Sequence, residues 1–238
     1  MRIVSWNCQG AFRKKAQCIT PLCPDIAVIQ ECEPLEKLTF PPEVQRPYCR
    51  YWFGDGKRGI GIFSYTNLDF RLHDVHDASI RHCIPLVVQG KRPLHLLAIW
   101  AMSDPNRRYS YIGQIHLAIQ AYRKFIEAAE TIIIGDFNSN SIWDQGTPKI
   151  GTHSDLVREL RDMGLSSIYH ETLQEPHGKE RINTFYLYRQ RERGYHIDYC
   201  FTPTNWLEQL THFSVGAYDE WIQWSDHCPL SIEFSARS

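Results

Sequence analysis

The sequence predicts an α/β sandwich: two β-sheets packed face to face, with a few helices outside. Three observations predict it. Short, almost wholly apolar runs recur along the 238 residues, as strands buried on both faces require. Only two stretches carry a helical period. Several of the apolar runs end in a carboxylate, an amide or an imidazole, at Ser5-Trp6-Asn7, Ile29-Gln30-Glu31, Gly135-Asp136-Phe137-Asn138, His196-Ile197-Asp198-Tyr199 and Ser225-Asp226-His227.

The elements follow in order. Arg2 to Asn7 and Pro24 to Gln30 read as strands, as do Gly59 to Tyr65, Ile84 to Val88 and Pro93 to Trp100. From Ser110 to Glu130 the period changes: Ile112, Ile115, Ile119, Tyr122, Ile126 and Ala129 mark one face of a helix. Thr131 to Ile134 is a buried strand. A second helix runs from about His153 to Met163, with Thr152 or Ser154 as cap and Gly164 as stop. Thr184 to Tyr188 and Tyr195 to Phe201 read as strands joined by an Arg-rich turn, and Cys228 to Phe234 as the last strand. The segments 33–47, 66–81, 103–109, 139–152 and 171–183 read as loops, none long enough to link domains. The polar strand tips span residues 7 to 227, so residues 1–238 are expected to form one domain.

Composition excludes little. The chain is 43% hydrophobic and 22% charged, ordinary globular material. A net charge of −1 gives no whole-molecule attraction to nucleic acid, so any such affinity must come from local patches. The start, Met1-Arg2-Ile3-Val4, enters a strand and fits no signal peptide, and no apolar run approaches the roughly 20 residues of a membrane span. None of the eight cysteines forms Cys-x-x-Cys, and no His pairing has zinc spacing. A reducing, cytoplasmic setting without disulfides is expected. Cys8, Cys32 and Cys228 adjoin Asn7, Glu31 and His227; they read as small buried residues packing beneath a site rather than as a thiol centre.

The polar tips supply the inventory of a divalent-metal phosphodiesterase. Phosphodiester hydrolysis needs a cation to neutralise the phosphate and the leaving oxygen, and hard oxygen ligands to hold it. It also needs a base for the attacking water, and donors for the transition state.

In this order and spacing the tips resemble the endonuclease/exonuclease/phosphatase superfamily, which includes DNase I and exonuclease III-type enzymes. The resemblance rests on Ser-Trp-Asn at 5–7, Ile-Gln-Glu at 29–31, Gly-Asp-Phe-Asn at 135–138, Thr-Phe-Tyr at 184–186, Ile-Asp-Tyr at 197–199 and Ser-Asp-His-Cys-Pro-Leu at 225–230. It covers essentially the whole chain. It implies a DNase I-like four-layer fold, with two mostly antiparallel sheets flanked by helices. It implies Mg²⁺ or Mn²⁺ held by Glu31, with Asn7 beside it and Asp226 as a second ligand. It makes Asp136 the group that positions and deprotonates water, Asn138 a contact to phosphate or that water, and His227 a donor to phosphate oriented by Asp198. A Tyr ahead of the long helix often contacts the phosphate in nuclease members; Tyr109 and Tyr111 both stand there, and Tyr111 is the choice by distance to the helix.

Two departures mark a divergent, small, bacterial-type member. No second His follows Ala98-Ile99-Trp100-Ala101, which favours the exonuclease III-like side. Gln9 and His196 stand where those nucleases usually carry other polar residues, so abasic-site specificity does not carry over. The expected substrate is nucleic acid, DNA before RNA, taken up by a monomer. Arg189, Arg191 and Arg193 are expected to hold its phosphates, with further basic residues at Arg13-Lys14-Lys15, Lys57-Arg58 and Arg107-Arg108. Trp143, Trp221 and Trp224 are expected near the site as stacking surfaces. The alternative is a phosphatase or phosphodiesterase for a small or lipid-linked substrate.

Overall fold

The computed structural model describes residues 1–90, 94–145 and 150–235. Fourteen strands lie among them: β1 (Arg2–Asn7), β2 (Ile26–Cys32), β3 (Cys49–Asp55), β4 (Arg58–Ser64), β5 (Asp69–Leu72), β6 (Cys83–Gln89), β7 (Leu94–Trp100), β8 (Thr131–Asp136), β9 (Leu165–Ser167), β10 (Phe185–Tyr186), β11 (Gly194–Tyr195), β12 (Asp198–Pro203), β13 (Leu210–Val215) and β14 (Leu230–Phe234). Two six-stranded sheets run β13-β14-β1-β2-β4-β3 and β5-β6-β7-β8-β12-β9, and β10 and β11 form a separate ribbon. Most pairings are antiparallel. The exceptions, β1 with β2 and β7 with β8, lie at the centre of each sheet. Outside the sheets are α1 (Ala16–Ile19), α2 (Ile112–Ala121), α3 (Arg123–Ala128), α4 (His153–Asp162), α5 (Ile168–Leu173) and α6 (Tyr218–Trp221).

Strand alternation divides the core into three. Ile3, Ile26, Val28, Ile62, Leu86, Leu96, Ile132, Ile134 and Ile232 meet between the sheets. Leu97, Ile99, Ile133, Tyr199 and Phe201 turn outward to pack under α2, α3 and α4. Val4, Trp6, Ala27, Ile29 and Phe63 turn the other way, toward α1 and α6. Cys8, Cys32 and Cys228 belong to this last layer; all are buried, and all eight cysteines are free.

The structure refines several expectations. The helix expected over Ser110 to Glu130 bends at Tyr122 into α2 and α3, although the Ile126 amide still donates to the Tyr122 carbonyl at 2.9 Å. Tyr122 is buried, and its hydroxyl accepts from the Asp77 amide at 3.2 Å. α4 starts with the expected Thr152 cap, which forms a reciprocal box with Asp155. The strands expected over Thr184 to Tyr188 and Tyr195 to Phe201 do not pair along their length. Only β10 and β11 join, while β12 runs between β8 and β9. The strand expected from Pro93 begins at Leu94 among the described residues.

Candidate active site

The polar tips converge because the sheet registers bring them to one edge. Asn7 lies level with Gln30 across the parallel β1–β2 pair. Asp136 lies level with Trp100 on one side and Asp198 on the other. β14 runs antiparallel to β1, so the residues leading into it return to the same edge; the Trp6 indole donates to the His227 carbonyl at 2.9 Å.

Local irregularities then aim the side chains. The β2–β4 register breaks between Ile29 and Cys32, and Glu31 has φ 57°. A bulge of this kind takes a side chain out of strict alternation, and here it sends Glu31 toward Asn7. The two approach to 3.4 Å, Asn7 Nδ2 to Glu31 Oε1. Gly135 has φ 144°, and a Cβ there would stand 1.9 Å from the Ile99 carbonyl oxygen. Only glycine lets β8 lie that close to β7 and still present Asp136. Gln9, Tyr111, Asn138 and Arg189 also take positive φ, so strained backbone gathers around the candidate residues.

At the centre is Asp136, which is wholly buried. Its Oδ2 accepts from Asn7 Nδ2 at 3.0 Å and Asn138 Nδ2 at 2.9 Å, and its Oδ1 accepts from the Asn138 amide at 2.9 Å. His227 Nδ1 meets Asp198 Oδ2 at 2.9 Å, and its Nε2 lies 3.9 Å from Asp136 Oδ2. Burial raises the Asp136 pKa; His227, Asn7 and Asn138 pull it down, Asp198 pushes it up, and the net shift is upward. Burial works against charge on His227, but Asp198 and Asp136 outweigh it and push its pKa up. At neutral pH the imidazole is a cation, bonded through Nδ1 to the Asp198 carboxylate and facing Asp136 through Nε2.

Thr184 holds this arrangement: its hydroxyl accepts from the amides of both Ile197 and Asp198 at 3.0 Å, and its carbonyl accepts from Cys228 at 2.7 Å. Ser225 Oγ donates to the Asn7 carbonyl at 2.7 Å and accepts from the His227 amide at 3.1 Å, which ties two tips together.

The donors suit a hard cation at Asn7 and Glu31. Glu31 offers a carboxylate, paired with Arg58 at the half-open mouth of the site, and Asn7 an amide oxygen that here accepts from the Gln9 amide at 3.0 Å. Asp226 stands one side chain further out, its Oδ2 accepting from Gln9 Nε2 at 2.8 Å. Asp136, Asp198 and His227 also have ligand atoms within 4.8 Å of one another. A protonated imidazole has no lone pair to offer, so this trio suits proton and phosphate handling better than metal binding.

The remaining candidates are spread more widely. The Tyr111 amide donates to Met102, and Asn138 Nδ2 donates to the neighbouring Ala101 carbonyl, so Tyr111 is held near Asn138. Tyr111 is 38% exposed and its hydroxyl has no partner among the described residues, which leaves the phenol free for a ligand. Of the three arginines, Arg189 reaches the site, donating to Gln9 Oε1 and to the Gln223 carbonyl. Arg191 is turned away, paired with Asp219 and stacked over Tyr218 at 4.3 Å. Arg193 lies over Tyr188. Trp221 is buried edge-on against Trp6 and is core, not a stacking surface; Trp143 is 41% exposed. Sequence reasoning missed the roles of Arg58 and Gln9. Arg58 was visible only as part of a basic pair, and Gln9 only as a departure from pattern.

No protein-family model and no curated protein sequence matches the chain. Solved structures do match along its whole length. The endonuclease domain of TRAS1, a telomere-specific non-LTR retrotransposon, superposes with a TM-score of 0.69 at 18% identity, covering 100% of this chain and 99% of that one. The 3′ phosphatase NExo from Neisseria, bound to a product DNA hairpin, gives 0.69 at 20% identity, covering 99% and 100%. The 3′–5′ exonuclease NExo from Neisseria meningitidis gives 0.68 at 21%, covering 99% and 100%. The chain has the fold of these nuclease and phosphatase structures, the fold expected of the endonuclease/exonuclease/phosphatase superfamily.

Proposed function

We propose that the chain is a Mg²⁺- or Mn²⁺-dependent phosphodiesterase, a nuclease acting on DNA. The observation that carries this reading is the buried Asp136–His227–Asp198 cluster, with Asn7, Asn138 and Glu31 around it at one sheet edge. The fold shared with an endonuclease domain, an exonuclease and a 3′ phosphatase bound to a DNA hairpin supports it.

Glu31 and Asn7 would hold the cation, with Asp226 close behind. When bound, the cation neutralises charge on the phosphate and the leaving oxygen. Asp136 accepts the proton of the attacking water; its raised pKa makes it a stronger base than a solvated carboxylate, and Asn7 and Asn138 fix its orientation. His227 donates from Nε2 to a phosphate oxygen, and Asp198 on Nδ1 fixes the ring and its charge. Asn138 and Tyr111 line the phosphate position. Arg189 reads as the first backbone-phosphate contact beyond it. Soluble, monomeric action in the cytoplasm completes the proposal.

The test is a substrate panel of duplex DNA, single-stranded DNA, RNA, inositol phosphates and a generic phosphodiester, assayed in Mg²⁺, in Mn²⁺ and in chelator. DNA hydrolysis abolished by chelation is expected. Glu31→Gln should weaken metal use, with partial rescue by excess Mn²⁺. Full activity in chelator contradicts the mechanism. Turnover of inositol phosphates with DNA untouched moves the substrate to the small-molecule class.

A further inference from the structure

We propose that His170, His177 and Glu180 form a second metal site, separate from the phosphodiester site and suited to a zinc-class divalent cation. His170 sits on α5, and His177 and Glu180 lie in the segment that follows it. One ligand atom from each lies within 4.8 Å of the other two, and His170 Nε2 is 3.0 Å from Glu180 Oε1. Bonds of about 2.0–2.2 Å in tetrahedral geometry put neighbouring ligand atoms roughly 3.3–3.5 Å apart, so binding draws the three atoms together and swings the His177 ring out of its stack on His170. Two imidazoles and one carboxylate select zinc-like ions over Mg²⁺, which prefers oxygen alone.

The surroundings are built as outer support for such a site. His170 Nδ1 meets Ser167 Oγ at 2.7 Å, which fixes the ring with Nε2 toward Glu180. Glu180 is held by the Gly178 amide at 3.0 Å and by Asn140 Nδ2 at 3.1 Å. The side chains of His170 and Glu180 are only 8% and 4% exposed. His177 stacks on His170 with ring centres 3.4 Å apart. A cavity of about 320 Å³ is lined by both histidines, giving an ion a way in and leaving room for water as a further ligand.

Further imidazoles crowd the same place. His153 Nε2 and His177 Nδ1 face each other at 3.3 Å. The His196 ring lies 6.1 Å from that of His170, and its Nε2 is buried with no hydrogen-bond partner. A group of four imidazoles around one carboxylate is better suited to a cation than to itself.

The experiment loads the full chain, stripped by chelator, with Zn²⁺ and dialyses it against excess Mg²⁺. Bound zinc is counted by elemental analysis. Co²⁺ in its place reports coordination by visible absorption. Wild type and Glu31→Gln should each retain one equivalent. His177→Gln and Glu180→Gln should bind at least about 100-fold more weakly, beyond the 10–100-fold typical of losing outer support. Zn²⁺ should raise the Tm of wild type and not that of His177→Gln. Circular dichroism checks that His177→Gln is folded, so the test does not depend on Glu180→Gln folding. No retained zinc in wild type overturns the site. So does unchanged affinity in folded His177→Gln, or zinc lost from Glu31→Gln instead.

Discussion

Two histidine clusters lie on opposite faces of β12, and they take opposite charge states. On the inner face Asp198 and Asp136 flank the single imidazole of His227, whose pKa rises. On the outer face Tyr199 packs against His153, His170, His177 and His196, with Glu180 the carboxylate bonded to His170. There burial and neighbouring imidazoles lower the pKa of His177, and burial lowers those of His153 and His196. The inner cluster is fully buried, while in the outer one His177 and Glu180 are only partly so. What separates them is the carboxylates: two of them outweigh burial at His227, while burial wins at His153, His177 and His196. A buried imidazolium suits a phosphate-binding acid, and neutral imidazoles suit a soft cation.

The largest expected effect comes from breaking the inner cluster. His227→Ala should lower DNA hydrolysis by at least about 10²-fold while the protein stays folded. Asp198→Asn keeps the hydrogen-bond geometry but removes one of the two carboxylates, so its loss should be smaller. It should also bring the His227 titration down toward neutrality in the pH–rate profile. Near-wild-type turnover in folded His227→Ala would show that the imidazolium has no part in the reaction.

Stability against pH should separate the clusters next. In the unfolded chain a histidine titrates near about 6.5. His227 titrates near about 10 when folded, so the stability it contributes is complete below about 6.5 and is lost as pH rises toward 10. For His153 and His196 the folded value falls to about 4 and for His177 to about 2. These groups bind fewer protons folded than unfolded, so stability is lost as pH falls below about 6.5. Denaturant midpoints measured in chelator should therefore fall on both sides of neutrality. His153→Gln should flatten only the acid limb and His227→Ala only the alkaline one. Matching changes in both limbs for either variant would erase the distinction.

The smallest effect is expected at the rim. Arg189→Ala should flatten the salt dependence of DNA binding by roughly 0.9 units of log–log slope, one phosphate contact on a duplex. Arg191→Ala should change it less, because that guanidinium is already held by Asp219 and Tyr218. Equal slopes for the two variants would mean that the loop rearranges on binding.

Much of this was legible in the sequence, for a physical reason. β1, β2, β8 and β14 are buried on both faces, so their apolar runs are continuous and their polar tips stand out. β3, β5 and β13 were not legible, since each mixes half-buried and exposed residues and lacks such a run. The bulge that turns Glu31 toward Asn7 leaves no mark in Ile29-Gln30-Glu31 itself. The bonds from Arg58 to Glu31 and from Gln9 to Asp226 join residues 27 and 217 positions apart, so no local pattern predicts them. The outer histidines escaped for a different reason, since His170, His177 and Glu180 lie within ten positions of one another but in no zinc-type pattern. Sequence spacing argued against a zinc site, yet tertiary packing stacks His177 on His170 and brings Glu180 beside them.

The central claim is that Asp136, buried and titrating near about 7, is the base for metal-dependent phosphodiester hydrolysis. Raised above the unfolded value of about 3.9, it costs stability as pH climbs through that interval. Asp136→Asn should then be at least as stable as wild type at pH 8. The deciding measurement is duplex DNA hydrolysis in Mg²⁺ by wild type and Asp136→Asn, with chelator added midway. The account predicts steady wild-type cleavage that stops on chelation, and a folded variant slower by at least about 10²-fold. Cleavage by folded Asp136→Asn at the wild-type rate would contradict it.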